Sequence, residues 1–435
     1  QPGATLGGEF LMKRWMFWIV GCLVLASGDW SMAQERQPKP IPVDRAQAKR
    51  ALEALKDRQP RLPLAPATEE EKQSWGVQAI VTNGLARRRY LPETWFAADF
   101  GQDPLMLLEY PLKTKCFWVV SRANNCQYCL GHQEHKLMAI GMTDAQLAGL
   151  DAGGPGEDAR TRACLQAARK ITLEPHLWSG SDLELLREHM TDEQIIEIVY
   201  TISMFNSVNR WTDSLGLPQD RVFRGESRSF VTEDLSEDRL PSKIIRGMPQ
   251  EREALPSWDS SAGGKPGWKI RLPESQRAGR SLGRKVQGDW ERAMSLFPEV
   301  GTKQMVSIES IVGGADLSPE LVARIGWICA RHNRADAMAR FWLARWNTLG
   351  QPNGELERAE VARSDDAAIR QVELFAKRLT VQPQSIVDED IEALRAHFTD
   401  RQTAQIVYAI GACNLLDRFT RCLGLEMLPD ASTDP

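Results

Sequence analysis

Two cysteines three residues apart are the clearest chemical signal in this chain. The sequence has eight cysteines in 435 residues, and Cys126 and Cys129 form a Cys-x-x-Cys pair with His132 and His135 close behind. This spacing places both sulfurs within one helical turn, where they can close a disulfide. A helix N-terminus and nearby polar hydrogens lower a thiol pKa, and a thiolate can reduce a peroxide before the second thiol resolves the sulfenic acid. The pair therefore predicts thiol redox chemistry.

Three other functions of these residues can be weighed against their spacing: haem attachment, zinc binding and a structural disulfide. Covalent haem attachment needs a histidine directly after the second cysteine, and Leu130 stands there. Zinc would need four converging ligands, but three residues turn a helical side chain by about 60°, so Cys126 and His135 lie on opposite faces. A structural disulfide in an oxidising compartment is the plain alternative. We predict no metal site and no cofactor.

The elements that must position the pair are predicted to be helices. Apolar residues recur at spacings of three and four, as in Ile195, Ile196, Val199 and Ile202, which is typical of amphipathic or buried helices. With 42% hydrophobic and 26% charged residues, the chain can bury two cores. A net charge of −4 offers no basic surface for phosphates, so no nucleic-acid partner is predicted.

An internal repeat organises the chain. Residues 182–217 align without a gap to residues 390–425 at a constant offset of 208. Both copies begin a helix with a Thr-Asp-x-Gln capping box, at Thr191 and Thr399, and end it near a glycine suited to a left-handed cap, Gly216 and Gly424. The repeat predicts two tandem copies of one helical module.

The second copy is predicted to lack the reactive groups. At the offset of 208, Cys126, Cys129, His132 and Gln133 fall on Arg334, Ala337, Arg340 and Phe341. By contrast, Asn206 and Arg210 recur as Asn414 and Arg418, so we interpret these four as contacts that hold the fold. The second copy is then a structural partner that packs against the first and supplies an interface within one chain.

The chain divides into five predicted segments. Their bounds are 1–33 for upstream residues and a signal peptide, 34–70 for an exposed lead-in, 71–224 for the first module, 225–285 for a polar linker and 286–430 for the second module.

The first segment predicts export. Met12 opens a signal-like sequence with two basic residues, an apolar run over 15–26 and a cleavage site after Ala33. The run is shorter than the ~20 residues that span a bilayer, which disfavours a membrane anchor. A lipoprotein site at Cys22 would leave too short an apolar stretch before it. We therefore expect a periplasmic or secreted protein.

The stretch around the cysteine pair resembles the carboxymuconolactone decarboxylase and alkylhydroperoxidase D-like superfamily, whose pattern is Glu-x11-Cys-x-x-Cys-x-x-x-His. Residues 163–217 are similar to the peroxidase-related members, and the resemblance extends over both modules. It implies an all-helical fold of two tandem alkylhydroperoxidase D-like modules, homo-oligomerisation and thiol chemistry without a prosthetic group. It also implies a hydroperoxide substrate and an external dithiol reductant.

The resemblance assigns a role to each cysteine. By position, Cys129 would attack the peroxide and Cys126 would resolve the sulfenic acid. The family glutamate falls on Thr114 and the family histidine on Gln133, so the usual proton relay is absent.

The histidine next to the family position is the expected substitute. His132 lies one residue away, flanked by Gln133, Glu134 and His135 as supporting candidates. Because a three-residue step on a helix keeps side chains within reach, we predict that His132 is the base for Cys129.

These features predict an exported thiol oxidoreductase that reduces hydroperoxides with peroxiredoxin-like activity. Two alternatives stay open: a cofactor-free carboxymuconolactone decarboxylase-like enzyme, and a non-catalytic assembly protein whose disulfide pins a helix. The decarboxylase would not need both cysteines, whereas the missing family glutamate and histidine favour the assembly protein.

Overall fold

The chain is described by a computed structural model over residues 40–98, 103–220, 241–245, 255, 257–258, 267–352 and 354–427. Within these ranges the secondary structure is helical, apart from an isolated bridge between Asp44 and Pro241. The prediction of an all-helical fold is confirmed. The predicted signal peptide, 1–33, lies outside the described residues. None of the helices in the described ranges combines the length and apolarity that crossing a bilayer requires.

Ten helices, α1 to α10, precede the second half of the described chain. Their bounds are Arg45–Ala54 (α1), Glu69–Trp75 (α2), Val77–Ile80 (α3), Thr82–Tyr90 (α4), Tyr110–Ala123 (α5), Gln127–Ala139 (α6), Asp144–Asp151 (α7), Ala159–Leu173 (α8), Gly180–Arg187 (α9) and Asp192–Ser214 (α10). Short 3₁₀ turns occupy Leu55–Asp57, Glu93–Phe96 and Pro175–Leu177.

The second half continues with α11 to α19. Their bounds are Ser275–Leu282 (α11), Asp289–Met294 (α12), Pro298–Gly313 (α13), Pro319–Asn333 (α14), Asp336–Thr348 (α15), Gly354–Glu360 (α16), Ala367–Val381 (α17), Asp388–Arg395 (α18) and Asp400–Leu423 (α19). A 3₁₀ turn lies at Pro383–Ser385. The described residues belong to one compact unit, and one buried apolar cluster runs through both halves.

The long helices α10 and α19 have the predicted ends. Thr191 and Thr399 each form a capping box with the glutamine three residues on. After each helix, Gly216 and Gly424 adopt positive φ angles of 65° and 68°, a conformation that costs glycine little. Both helices are buried along most of their length, as expected of helices that are apolar on several faces.

A buried arginine on each long helix reaches across to the other half. Arg210 on α10 and Arg418 on α19 each donate to the asparagine one turn back, Asn206 and Asn414. Their other donors reach matching main-chain carbonyls within 3.4 Å: Arg210 reaches Leu379 and Thr380, and Arg418 reaches Ile171 and Thr172. These four polar side chains therefore hold helices together, as predicted.

The lead-in predicted to be exposed is partly buried. Helix α1 buries Arg45, Lys49 and Leu52. Arg45 pairs with Glu134 at 2.7 Å, and Lys49 lies 3.5 Å from Asp144. The prediction for residues 34–70 is wrong at α1, because its cations meet carboxylates of the first module and can be buried as pairs.

The end of the predicted polar linker also packs. Helix α11 buries Ala278 and Leu282, and Ile270 is buried while its amide donates to the Leu423 carbonyl at 2.9 Å. Residues 225–240 of the linker lie outside the described residues. The stretch from residue 270 to residue 282 therefore belongs to the folded second half rather than to an exposed linker.

Candidate functional site

A tight turn between α5 and α6 presents the two cysteines. Asn125 has a φ of 54°, in the left-handed region that asparagine tolerates better than most residues. Cys126 is extended and caps α6, so Cys129 lies in the first turn of that helix. Amides and the dipole at a helix start favour an anion, so this position favours a Cys129 thiolate.

One hydroxyl group on α10 contacts both sulfurs. The Oγ1 atom of Thr212 lies 3.2 Å from the Cys126 Sγ and 3.2 Å from the Cys129 Sγ. The same hydroxyl donates to the Val208 carbonyl one turn back at 3.0 Å. Both cysteines are free thiols and are buried. Because a hydroxyl has one hydrogen and two lone pairs, Thr212 can accept from a thiol while it donates to Val208, and it can turn its hydrogen toward an ionised sulfur instead.

The two thiols have pKa values shifted in opposite directions. Burial raises the pKa of Cys126 well above its ordinary value, and its hydrogen bond to Cys129 adds to the shift. Burial also opposes ionisation of Cys129, but hydrogen bonds from Cys126, Thr212 and Asn209 outweigh it and lower the pKa of Cys129. This asymmetry favours Cys129 as the nucleophile and Cys126 as the thiol that keeps its proton.

Replacing Thr212 by valine is expected to raise the pKa of Cys129, because the thiolate loses a hydrogen-bond donor. One pKa unit would slow alkylation by iodoacetamide at pH 7 about tenfold. The measurement is the pH dependence of that rate, with mass spectrometry to confirm that Cys129 is the residue modified. Thr420→Val is the control, since Thr420 is the matching hydroxyl on α19 and donates to the Leu416 carbonyl. An unchanged pKa in Thr212→Val would contradict the role of Thr212.

A cavity of about 250 Å³ leads to Cys129. Cys126 is not among the described residues that line it. The wall is mainly apolar and includes Met106, Tyr110, Phe117, Tyr200, Met204 and Phe205. His132, Gln133 and Lys136 follow Cys129 along the same lining. A ligand in the cavity therefore meets Cys129 before Cys126.

Hydrogen bonds engage both ring nitrogens of His132. Its Nδ1 lies 2.7 Å from the Tyr128 carbonyl oxygen, and its Nε2 lies 2.7 Å from the Asp220 Oδ2. His132 and Cys129 line the same cavity. The role predicted for His132 as the base for Cys129 stays a prediction.

Asp220 is the carboxylate that His132 contacts, and sequence reasoning missed it. Its Oδ2 accepts from the Tyr128 hydroxyl at 2.8 Å as well as from His132, and its Oδ1 accepts from the Thr82 amide at 2.6 Å and from the Thr82 hydroxyl. Burial disfavours the carboxylate, but the bonds and charge of His132, with the bonds from Thr82, lower the pKa of Asp220. Asp220 is 88 residues from His132, and no motif marks it.

Gln133, at the family histidine position, is buried and lines the cavity. Its Oε1 atom has no hydrogen-bond partner. Buried carbonyl oxygens are usually satisfied, so this one is available to a ligand.

The other supporting candidates lie apart from the cavity lining. Glu134 is buried on another face of α6, where it pairs with Arg45 and accepts from the Trp118 indole at 3.4 Å. Thr114 is buried and donates to the Tyr110 carbonyl one turn back at 2.8 Å. His135 is not among the described lining residues. These three residues lie outside the described lining of the cavity, and their supporting roles stay predictions.

Contacts in the second half correct the register of the repeat. Asn124 donates to Asn206 across 82 residues, and Asn333 donates to Asn414 across 81. Asn125 and Arg334 share left-handed φ angles of 54° and 52°. The second half therefore has one residue fewer between this turn and the asparagine on the long helix. At the cysteine turn, the offset between matching residues of the two halves is 209 rather than 208.

The corrected register changes the predicted counterparts of the site. Cys126, Cys129, His132 and Gln133 match Ala335, Met338, Phe341 and Trp342, instead of Arg334, Ala337, Arg340 and Phe341. None of the corrected counterparts is ionisable. The matching turn of the second half therefore presents no thiol at these positions.

The second half holds a buried acid where the first half has Asn209. Asp417 accepts from the Asn333 amide at 2.9 Å, and its Oδ1 has no partner. Burial raises the pKa of Asp417 to about 8, and the bond from Asn333 and the charges of Arg418 and Arg210 only partly oppose the shift. Asp417 is therefore mostly protonated at neutral pH.

No family model matches this chain, and a comparison with curated proteins finds no match. In the part of the chain that the structure describes, no three histidine, cysteine, aspartate or glutamate side chains lie together in a group that could hold a metal ion.

Proposed function

We propose that this protein is a thiol-dependent peroxidase that reduces hydroperoxides through a Cys126–Cys129 dithiol–disulfide cycle. The asymmetry of the pair carries the proposal. Cys129 opens on an apolar cavity and has a lowered pKa, while Cys126 is buried behind it with a raised pKa. Attack requires a thiolate within reach of substrate, and resolution requires a second thiol beside it.

The chemistry proceeds in two steps that conserve atoms and electrons. The Cys129 thiolate attacks the terminal oxygen of the hydroperoxide, so an S–O bond forms and the O–O bond breaks. The departing alkoxide takes a proton from His132, which lines the same cavity, and leaves as an alcohol. The Cys126 thiol then displaces the oxygen of the sulfenic acid as water, and the disulfide forms. An external dithiol reduces the disulfide and is itself oxidised.

The resemblance to the alkylhydroperoxidase D-like superfamily supports this reaction and extends the proposal to the architecture. The matching contacts of Arg210 and Arg418 support two tandem modules, of which the second is a structural partner without reactive groups. Export, supported by the signal-like sequence from Met12 to Ala33, and assembly into a homo-oligomer are further parts of the proposal.

Single-turnover oxidation of the reduced protein by hydrogen peroxide and by an organic hydroperoxide tests the proposal. We expect a stoichiometric Cys126–Cys129 disulfide, located by mass spectrometry, to form faster than free cysteine oxidises. In Cys126→Ser, a sulfenic acid should be trapped on Cys129. The control is Cys164→Ser, since Cys164 is buried away from the cavity and burial raises its pKa to about 12.

A pair that stays reduced, or that oxidises no faster than free cysteine, would overturn the peroxidase. The decarboxylase-like enzyme and the non-catalytic assembly protein would then be the functions to test.

A further inference from the structure

One face of α6 carries a reactive group at one end and a cation at the other. Cys129 and Lys136 are seven residues apart, so they lie on the same side of the helix about 10 Å apart along its axis. Gln133 lies between them, and all three line the cavity. A ligand lying along this face would therefore meet two different chemistries at its two ends.

Lys136 differs from its neighbouring lysines in having no carboxylate partner among the described residues. Lys113, which also lines the cavity, is 3.0 Å from Glu197, and Lys115 is 2.6 Å from Glu157. Burial lowers the pKa of Lys136, and the charge of the Cys129 thiolate is what opposes the shift. A partly buried ammonium without a carboxylate favours an anion supplied by a ligand.

Gln133 adds an independent sign of a missing ligand. Its side chain is 2% exposed, and its Oε1 has no partner although it lines the cavity. The oxygen can accept the O–H of a hydroperoxide held near Cys129, one helical turn away. Gln133 thus suits the reactive end of the ligand.

Much of the remaining cavity wall is apolar. Phe117 and Phe205 belong to it and stack with ring centroids 3.7 Å apart. The cavity volume of about 250 Å³ has room for a ligand of about eight to ten non-hydrogen atoms, since a liquid water molecule occupies about 30 Å³. The space therefore fits a short apolar chain.

We propose that the cavity selects hydroperoxides that carry a carboxylate on a short apolar chain, with the carboxylate bound by Lys136 and the hydroperoxide held between Gln133 and Cys129. The catalytic part of this inference rests on the proposed peroxidase function. The binding part does not, because an unreactive carboxylate of the same shape should also bind.

Binding to the Cys129→Ser protein tests the anion site without any redox step. We expect calorimetry to show octanoate binding at least tenfold tighter than octan-1-ol. Lys136→Met in the same background should remove this preference and leave octan-1-ol affinity unchanged. Lys115→Met is the matched control, because Lys115 is partly buried but does not line the cavity, and it should keep the preference. Equal binding of acid and alcohol, or a preference that survives Lys136→Met, would overturn the inference.

A kinetic arm separates this inference from the proposed function. With Cys129 present, an ω-hydroperoxy hexanoic acid should oxidise the protein about tenfold faster than its methyl ester, and Lys136→Met should lose that ratio. Equal rates for acid and ester would overturn the inference and leave the peroxidase standing. Octanoate selectivity without oxidation by either peroxide would overturn the peroxidase and leave the carboxylate site standing.

Discussion

Replacing His132 by glutamine is expected to slow the oxidation of Cys129 by a hydroperoxide about 10²-fold to 10³-fold. Glutamine can still donate toward Asp220, but an amide cannot carry a proton to the departing alkoxide. The measurement is the second-order rate constant of single-turnover oxidation at pH 7, followed by stopped flow. The defect should be smaller for a peroxide whose leaving group is a weak base, since such a group needs the proton least.

The chain offers a matched control for that substitution. His135 is on the same helix, and it is not among the described residues that line the cavity. His135→Gln should therefore leave the rate unchanged. Equal slowing in the two variants would show that His132 acts only through the fold.

Asp220→Asn separates the charge of the Asp220 carboxylate from its position. The amide keeps hydrogen bonds at this place but removes the negative charge that faces His132. Oxidation of Cys129 at pH 7 should therefore be slower than in the wild type, though less slowed than in His132→Gln, which loses the ring itself. A wild-type rate in Asp220→Asn would contradict a role for this carboxylate.

Replacing Asp417 by asparagine is expected to stabilise the protein, and to do so more at high pH. An aspartate in an unfolded chain has a pKa of about 3.9, whereas burial raises that of Asp417 to about 8. Between these values the folded state holds a proton that the unfolded state has lost, so the wild-type free energy of unfolding falls as the pH rises. The variant removes this loss, with a gain of about 2–5 kcal/mol at pH 8 and little gain near pH 4.

Urea denaturation of both proteins at pH 4.5, 6 and 8 measures the effect. The first half carries Asn209 at the matching position, so the substitution has a precedent within the chain. Asp388→Asn is the control, because its side chain is 75% exposed, and it should shift stability little at any pH. A variant less stable than wild type at pH 8 would mean that Asp417 is an ionised partner of the buried arginines.

The sequence predicted what is local and missed what is distant. Helical periodicity and the capping boxes at Thr191 and Thr399 depend on near neighbours, and both predictions are confirmed. The Cys-x-x-Cys pair needed no tertiary information either. Thr212 contacts Cys129 and Asp220 contacts His132, and each lies more than 80 residues from that partner and belongs to a common residue type in no motif.

The errors at α1 and at the repeat register have the same origin. The composition of the region around Arg45 and Lys49 is polar and so predicted exposure. It could not show that Glu134 and Asp144 pair with these two cations and allow them to be buried. The gap-free alignment of the last helix of each half gave the offset of 208. The second half has one residue fewer between Asn333 and Asn414 than the first half has between Asn124 and Asn206, and only the contacts of these asparagines show it.

The crossed contacts of Arg210 and Arg418 set an order of events during synthesis. The carbonyls of Ile171 and Thr172 accept hydrogen bonds from Arg418, which is translated more than 240 residues after them. At about 5–20 residues per second, the ribosome needs roughly 10–50 s to supply that partner. Throughout this interval these carbonyls can bond only to water, and the face of α10 that α19 later covers stays open to solvent.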